Sequence, residues 1–253
     1  MREARAGGRV VLALLALLGG SAAAQEDEGR RALEEAQRLA ASGRKDRAIE
    51  IALTLIRERP DDPWRPSAHF FLALLYHERR QFRTQLAHAE EALARAPEAP
   101  WRDGAELARA TALAGVGRAL EARPIVERLM NGAPHESVRE EAASRWKTFS
   151  LFGEPAPALS VERWLRGPVR DLASLKGRVV LVLFFEGCAG CSAAYPEVLE
   201  IQGRHSAKDI HTIGIAVGGG EAWLAGQEKR LHSIAADRSG KETWDRYQGA
   251  GSP

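Results

Sequence analysis

The sequence predicts an all-α helical repeat domain followed by an α/β domain, with a short apolar leader ahead of both. Three observations carry that prediction. Prolines recur at a fixed step through the middle of the chain, a seven-residue apolar run follows later, and the sequence Cys-Ala-Gly-Cys begins three residues beyond that run. Composition leaves room for two domains: 253 residues, 45% hydrophobic and 28% charged, are too apolar for a disordered chain. Lys and Arg number 36 against 34 Asp and Glu. Residues 1–24 hold Arg2, Arg5 and Arg9 against Glu3, so the remainder carries 33 charges of each sign. A balanced body argues against a nucleic-acid backbone or an anionic membrane as the main partner. Two cysteines cannot staple a domain of this size, which excludes a disulfide framework.

The leader comes first. Three arginines precede the apolar run Val10–Leu18, and Gly19-Gly20-Ser21-Ala22-Ala23-Ala24 follows before the polar Gln25-Glu26-Asp27-Glu28. A charged start, a short apolar core and small residues at its end read as a secretory signal over residues 1–24. The core falls well short of the ~20 residues that span a bilayer; an uncleaved membrane anchor is the alternative. The mature chain is expected to be exported, to the periplasm or cell envelope. There the membrane would be met only through an uncleaved signal segment.

Residues 26–150 repeat themselves. Pro60, Pro97 and Pro134 stand 37 residues apart, and the same step links Ala36, Ala73 and Ala110, and also Gly43, Arg80 and Gly117. Pro63-Trp64-Arg65 returns as Pro100-Trp101-Arg102. Such a period signals stacked supersecondary units. Each unit reads as two helices: Phe82, Leu86, Ala89 and Leu93 share one helical face, and each proline ends the second helix. Ser137–Phe149 reads as a closing helix, and Pro124 is expected to kink the helix it interrupts. His69, His77, His88 and His135 show no metal-ligand spacing.

These residues resemble the tetratricopeptide repeat (TPR). Ala36, Ala48 and Pro60 fall at its signature spacing, as do Ala73, Tyr76, Ala92 and Pro97, and Ala110, Ala122 and Pro134. Two positions depart: Gln85 replaces a small residue and Arg80 a glycine. Three extra residues per period are expected in the loops around Trp64 and Trp101. The resemblance implies a peptide- or protein-binding surface or a dimerisation platform; a packed helical spacer is the alternative.

Residues 151–253 change pattern. Gly153-Glu154-Pro155-Ala156-Pro157 is a stiff linker. Val179-Val180-Leu181-Val182-Leu183-Phe184-Phe185 suits a strand buried on both faces of a sheet. Further strands are expected over His211–Val217 and Leu231–Ala236, with a helix over Glu221–Arg230 between them. Strand and helix in alternation give an α/β domain. The glycines Gly218-Gly219-Gly220 lack the lysine and serine of a phosphate loop and read as a turn.

A Cys-x-x-Cys placed where a strand passes into a helix has a chemical meaning. Free N–H groups and the positive end of the helix dipole stabilise the first sulfur as a thiolate. The second lies one turn along, close enough to displace a partner from a mixed disulfide. Cys188 is therefore the attacking and Cys191 the resolving sulfur.

This segment resembles the thioredoxin superfamily, in particular the secreted TlpA/ResA-like reductases. Gly153–Pro157 is similar to their lead-in, and Leu172–Val180 to the approach to their central strand. Pro196 stands where the family kinks the helix after its cysteines, and Tyr247–Pro253 has the spacing of the family's cis-proline loop. The resemblance implies that Ser252 and Pro253 bind a substrate strand beside the disulfide. Gly187 departs from the family's usual tryptophan before the first cysteine. Val182 and Ala194 stand where relatives often carry a polar or acidic group. The family continues past its cis-proline with two strands and a helix. A chain stopping at Pro253 is expected to be an incomplete product, with a central strand left as an unpaired edge.

The residues therefore point to an exported thiol–disulfide oxidoreductase. Its expected partners are client protein thiols or disulfides, an electron-donating redox protein, and a peptide or protein on the repeats. No organic cofactor or metal is required. One Cys-x-x-Cys without a second ligand pair argues against structural zinc. Copper-chaperone and peroxidase readings lack their own motifs, and an inert structural disulfide stays open. The alternative from a different class is a non-catalytic interaction scaffold with a degenerate thioredoxin-like domain.

Overall fold

The computed structural model describes residues 28–167, 171–186, 189–218, 220–226, 231–237 and 242–247. The chain divides into two compact units between Phe149 and Ser150. The leader, residues 1–24, lies outside the described residues. Among those described, no helix is long and apolar enough to cross a membrane.

The first unit is a row of helices: α1 (28–41), α2 (Lys45–Glu58), α3 (Arg65–Glu78), α4 (Phe82–Arg95), α5 (Arg102–Gly115), α6 (Ala119–Gly132) and α7 (Glu136–Phe149). The 37-residue period is the period of the structure. It separates the starts of α3 and α5, and those of α2, α4 and α6. Pro60, Pro97 and Pro134 each stand two residues past a helix end, where a missing N–H costs nothing to the helix. The extra residues lie in the loops before α3 and α5, which end on Trp64 and Trp101 as the sequence predicts. The closing helix α7 starts one residue earlier than predicted, at Glu136. Helix α6 continues on both sides of Pro124.

Within each hairpin the turn is the same. Gly43, Arg80 and Gly117 all have positive φ, at 82°, 56° and 85°. The residue after each donates its N–H back to a carbonyl five positions earlier: Arg44 to Leu39 (2.9 Å), Gln81 to Tyr76 (3.0 Å) and Arg118 to Leu113 (2.8 Å). This left-handed helix stop favours glycine because it has no Cβ to clash, so Arg80 holds a glycine's conformation with a side chain. Alanines at one register let the helices approach: Ala36, Ala73 and Ala110 are fully buried. Residues 28–149 form TPR-like helical repeats.

The second unit is a small mixed sheet with helices around it. Strands β1 (Val161–Arg166), β2 (Val179–Phe185), β3 (Ile210–Ala216) and β4 (Ser233–Asp237) lie in the order β1-β4-β3-β2. β2, β3 and β4 run parallel and β1 antiparallel to β4. Helix α8 (Ala189–Arg204) connects β2 to β3, and α9 (Glu221–Gly226) connects β3 to β4. Side chains of β2 alternate between two cores. Leu181, Leu183 and Phe185 pack with Tyr195 and Val198 of α8, and Val180, Val182 and Phe184 with Trp164 and Ile213.

The described residues form a four-stranded mixed sheet, a coarser result than the thioredoxin-like fold expected from the sequence. β2 is covered on both faces, yet among the described residues it pairs with β3 alone, so it is an edge strand and Val179 is 67% exposed. β4 begins two residues later than expected, and α9 is described only to Gly226. β1 and α10 (Glu242–Arg246) are elements the sequence patterns did not mark. Asp237 at the end of β4 caps α10, accepting the N–H groups of Thr243 and Trp244 at 3.1 Å each. Of the glycine-rich segment, Gly218 and Gly220 lie between β3 and α9, and Gly219 is outside the described residues; a Cβ on Gly220 would lie 2.0 Å from the Phe185 carbonyl oxygen.

Candidate functional site

The first helices of successive hairpins, α3 and α5, together with α7, border a groove of about 300 Å³. Its walls are apolar: Phe70 and Leu74 from α3, Leu107 and Ala108 from α5, and Val138 from α7. Leu74 is 45% exposed, an uncommon fraction for a large aliphatic side chain in this unit. Gly104 belongs to the same wall because a Cβ there would meet the Phe70 ring at 3.0 Å. Phe70 in turn stacks on Trp101, with ring centroids 5.3 Å apart. The repeated Pro-Trp-Arg loop thus supports one side of the groove.

Polar groups enter from α3, α4, α5 and α7. Toward α7, Glu141 and Arg145 form an ion pair of 2.7 Å, and the Arg145 Nε has no protein partner. From α4 comes Gln85, 1% exposed. Its register is that of Ala48 and Ala122, one period either side and both fully buried. Gln85 Nε2 donates to the Ala108 carbonyl at 2.9 Å. That bond fixes the amide's orientation, since a flipped amide would set oxygen against oxygen. Oε1 is left without a protein partner in the groove wall. The His77 Nδ1 is a third unpartnered polar atom of this lining.

The residues singled out for redox chemistry are placed less fully. Gly187, Cys188, Ser252 and Pro253 lie outside the described residues. Cys191 is in the first turn of α8, and Pro196 lies within α8, as the sequence predicts. The described residues therefore show β2, then α8, then β3 parallel to β2. Among the described residues, no group of three or more His, Cys, Asp or Glu is placed to hold a metal ion.

The sequence marked Gln85 only as a departure from the repeat. Leu74 and Arg145 were not marked at all, and His77 only as one of four histidines without metal-ligand spacing. The signal was available: aligned on the 37-residue step, Gln85 is the polar member of a column whose other members are alanine.

No protein-family model matches the chain, and no curated protein matches it. Solved structures similar to it include a protein of Podosopora anserina described as a kinesin light chain with nearly identical TPR-like repeats. That protein is 19% identical, the match covering 48% of this chain and 64% of that one at a TM-score of 0.39. A point variant of the same protein gives 18% identity over the same shares at 0.41. A mutant O-GlcNAc transferase of Thermobaculum terrenum is 14% identical, over 78% of this chain and 38% of that one, with a TM-score of 0.45. The chain spans less than two thirds of the length of each of these proteins.

Proposed function

We propose that this protein is an interaction scaffold whose helical repeats hold a segment of a partner protein in the α3–α5–α7 groove, with a degenerate thioredoxin-like unit following. The observation that carries the reading is the apolar groove itself, with Leu74 half exposed at its wall and a buried glutamine where the repeat has alanine. An exposed apolar surface rimmed by polar groups is the usual mark of a binding face. Site-specific photocrosslinking tests it. A photoreactive residue at position 74 should capture a discrete partner in the native host, and one at Leu120, an exposed position on α6, should not. Equal capture from both positions refutes the groove as the docking face.

A second reading is supported by one feature, the parallel β2–α8–β3 unit with Cys191 in the first turn of α8 and Pro196 farther along. In it the Cys188 thiolate attacks a client disulfide and forms a mixed disulfide, releasing one client thiolate. Cys191 then displaces the other client sulfur, so the client is reduced and the Cys188–Cys191 pair oxidised. An electron-donating redox protein returns the pair to dithiol. Insulin reduction by the whole chain and by Cys188→Ser separates the readings, activity lost with the serine supporting exchange. Both readings place the chain in the periplasm or cell envelope through residues 1–24. A reporter enzyme active only after export, fused behind that segment, tests the location.

A further inference from the structure

We infer that the seam where β3 and β4 begin is an acid-opened clasp, closed by the stacked pair His211 and His232. The regular register between these strands starts at Ile213 and Ser233. One step earlier the side chains take over. The Thr212 backbone N–H donates to His232 Nδ1 at 3.1 Å, and the His232 backbone N–H donates to Thr212 Oγ1 at 3.1 Å. The Thr212 hydroxyl in turn bonds Gln202 of α8. A backbone N–H aimed at Nδ1 requires a lone pair there, so His232 carries its one proton on Nε2. A second proton must enter at Nδ1, and the fully buried Thr212 then loses the acceptor of its amide.

The second ring sits against the first. His211 is buried, its ring centroid 4.9 Å from that of His232 and its Nε2 2.9 Å from the Ser233 hydroxyl. Two imidazolium rings at that separation repel. The charged groups facing the pair are Arg166 from β1 and Arg178 at the entry to β2, both cationic, while α8 contributes the uncharged Gln202. The nearest carboxylate in sequence, Asp209, accepts the Ser206 hydroxyl at 2.6 Å. Burial, then His232 and Arg178, lower His211; burial, then Arg166 and Arg178, lower His232. Freed from the seam, both rings return toward the ordinary 6.5, so below that pH the open form binds more protons and opening is favoured as pH falls. The part that opens is the start of β4 with the end of β1, since Arg166 pairs with Ile234. Leu231 and Ile234, which pack with Tyr195 and Val198 of α8, then meet water.

Amide exchange followed by NMR in the whole chain, corrected for intrinsic rates, reads the seam residue by residue. Between pH 7 and 5.5 the opening constant at Thr212 should rise about tenfold. At both pH values it should exceed that of Val217, whose N–H donates to the Phe185 carbonyl at the far end of β3. Ring-nitrogen shifts at pH 7 should place the His232 proton on Nε2. The double variant His211→Gln, His232→Asn keeps hydrogen-bonding atoms near Nε2 and Nδ1 but cannot titrate, and in it the acid-induced rise should vanish. The inference fails if Thr212 opens no faster in acid, or if its opening constant equals that of Val217, so that the seam opens only with the whole sheet. It fails equally if the rise survives the double variant or if neutral His232 carries its proton on Nδ1. The wild-type measurements decide the matter even where the double variant does not fold.

Discussion

Lowering the pH from 7 toward 4 sets two histidines against each other in the contact between α3 and α4. His69 is 5% exposed, and its Nδ1 lies 3.0 Å from the Nδ1 of His88. One ring must donate and the other accept, so the contact requires the accepting ring to be neutral and cannot survive protonation of both. The His88 ring also lies parallel to Tyr76, centroids 5.4 Å apart. Burial, and then the neighbouring His88, push His69 down to about 4. Burial lowers His88 as well. Glu91 opposes the shift of both, while Arg65 and Arg95 reinforce that of His69. In the unfolded chain His69 takes its proton near 6.5, so between pH 6.5 and about 4 the unfolded state binds more protons and stability falls as pH falls. Below about 4 this contribution levels off. At about 1.4 kcal/mol for each tenfold in proton affinity, the full loss from His69 is at most about 3 kcal/mol. Hydrogen exchange of the α3 and α4 amides in the whole chain, corrected for intrinsic rates, measures the opening free energy locally. Between pH 7 and 4.5 the wild type should lose about 2 kcal/mol more than His69→Leu. Parallel curves for the two proteins would refute the assignment.

Other perturbations follow from the turns and caps. Arg80→Gly should stabilise the helical unit by about 0.5–1 kcal/mol, relieving a left-handed side chain at some cost in unfolded-state entropy, and thermal unfolding reads the shift. Gly117→Ala, at the same step of the next repeat, should destabilise by a similar amount. Gly115→Val should cost about 1–3 kcal/mol or more, because even a Cβ there would lie 2.2 Å from the Phe82 ring. Asp237→Ala removes both N-terminal bonds of α10 and should cost about 1–2 kcal/mol, seen as faster exchange at Thr243 and Trp244.

What the sequence revealed follows from which interactions are local. Helix ends were legible because a proline two residues past α2, α4 and α6 and a glycine or arginine in each hairpin turn act through their own backbone. β2 and β3 were legible because an unbroken apolar run has few other uses in a chain of this composition. β1 was not: Val161–Arg166 mixes Glu162 and Arg163 with Trp164 and Leu165, and its pairing with β4 is irregular between Val161 and Arg163 and again between Trp164 and Arg166. Helix α10 depends on Asp237 from a strand, and on bonds with a distant segment: Thr243 Oγ1 accepts the Ser160 N–H at 2.8 Å, and Tyr247 donates to the Pro157 carbonyl at 2.8 Å. No local window contains those pairings. The groove was hidden for the same reason, since α3, α5 and α7 contribute to it from positions about 75 residues apart in sequence at the extremes.

The places where the repeat breaks its own rules share one stretch of chain. Arg80 takes a glycine's conformation, Gln85 an alanine's position, Leu74 stands half exposed, and His69 and His88 put two imidazoles in a helix contact. All fall within α3, α4 and the turn between them. A helical stack selected only for packing would repeat Gly43 and Ala48 at 80 and 85, as it repeats them at Gly117 and Ala122. Each departure opposes local stability: a left-handed side chain, a half-satisfied amide, apolar surface left in water. Of these, Leu74 and Gln85 line the α3–α5–α7 groove, so they are the two departures that a segment docked there would lie against.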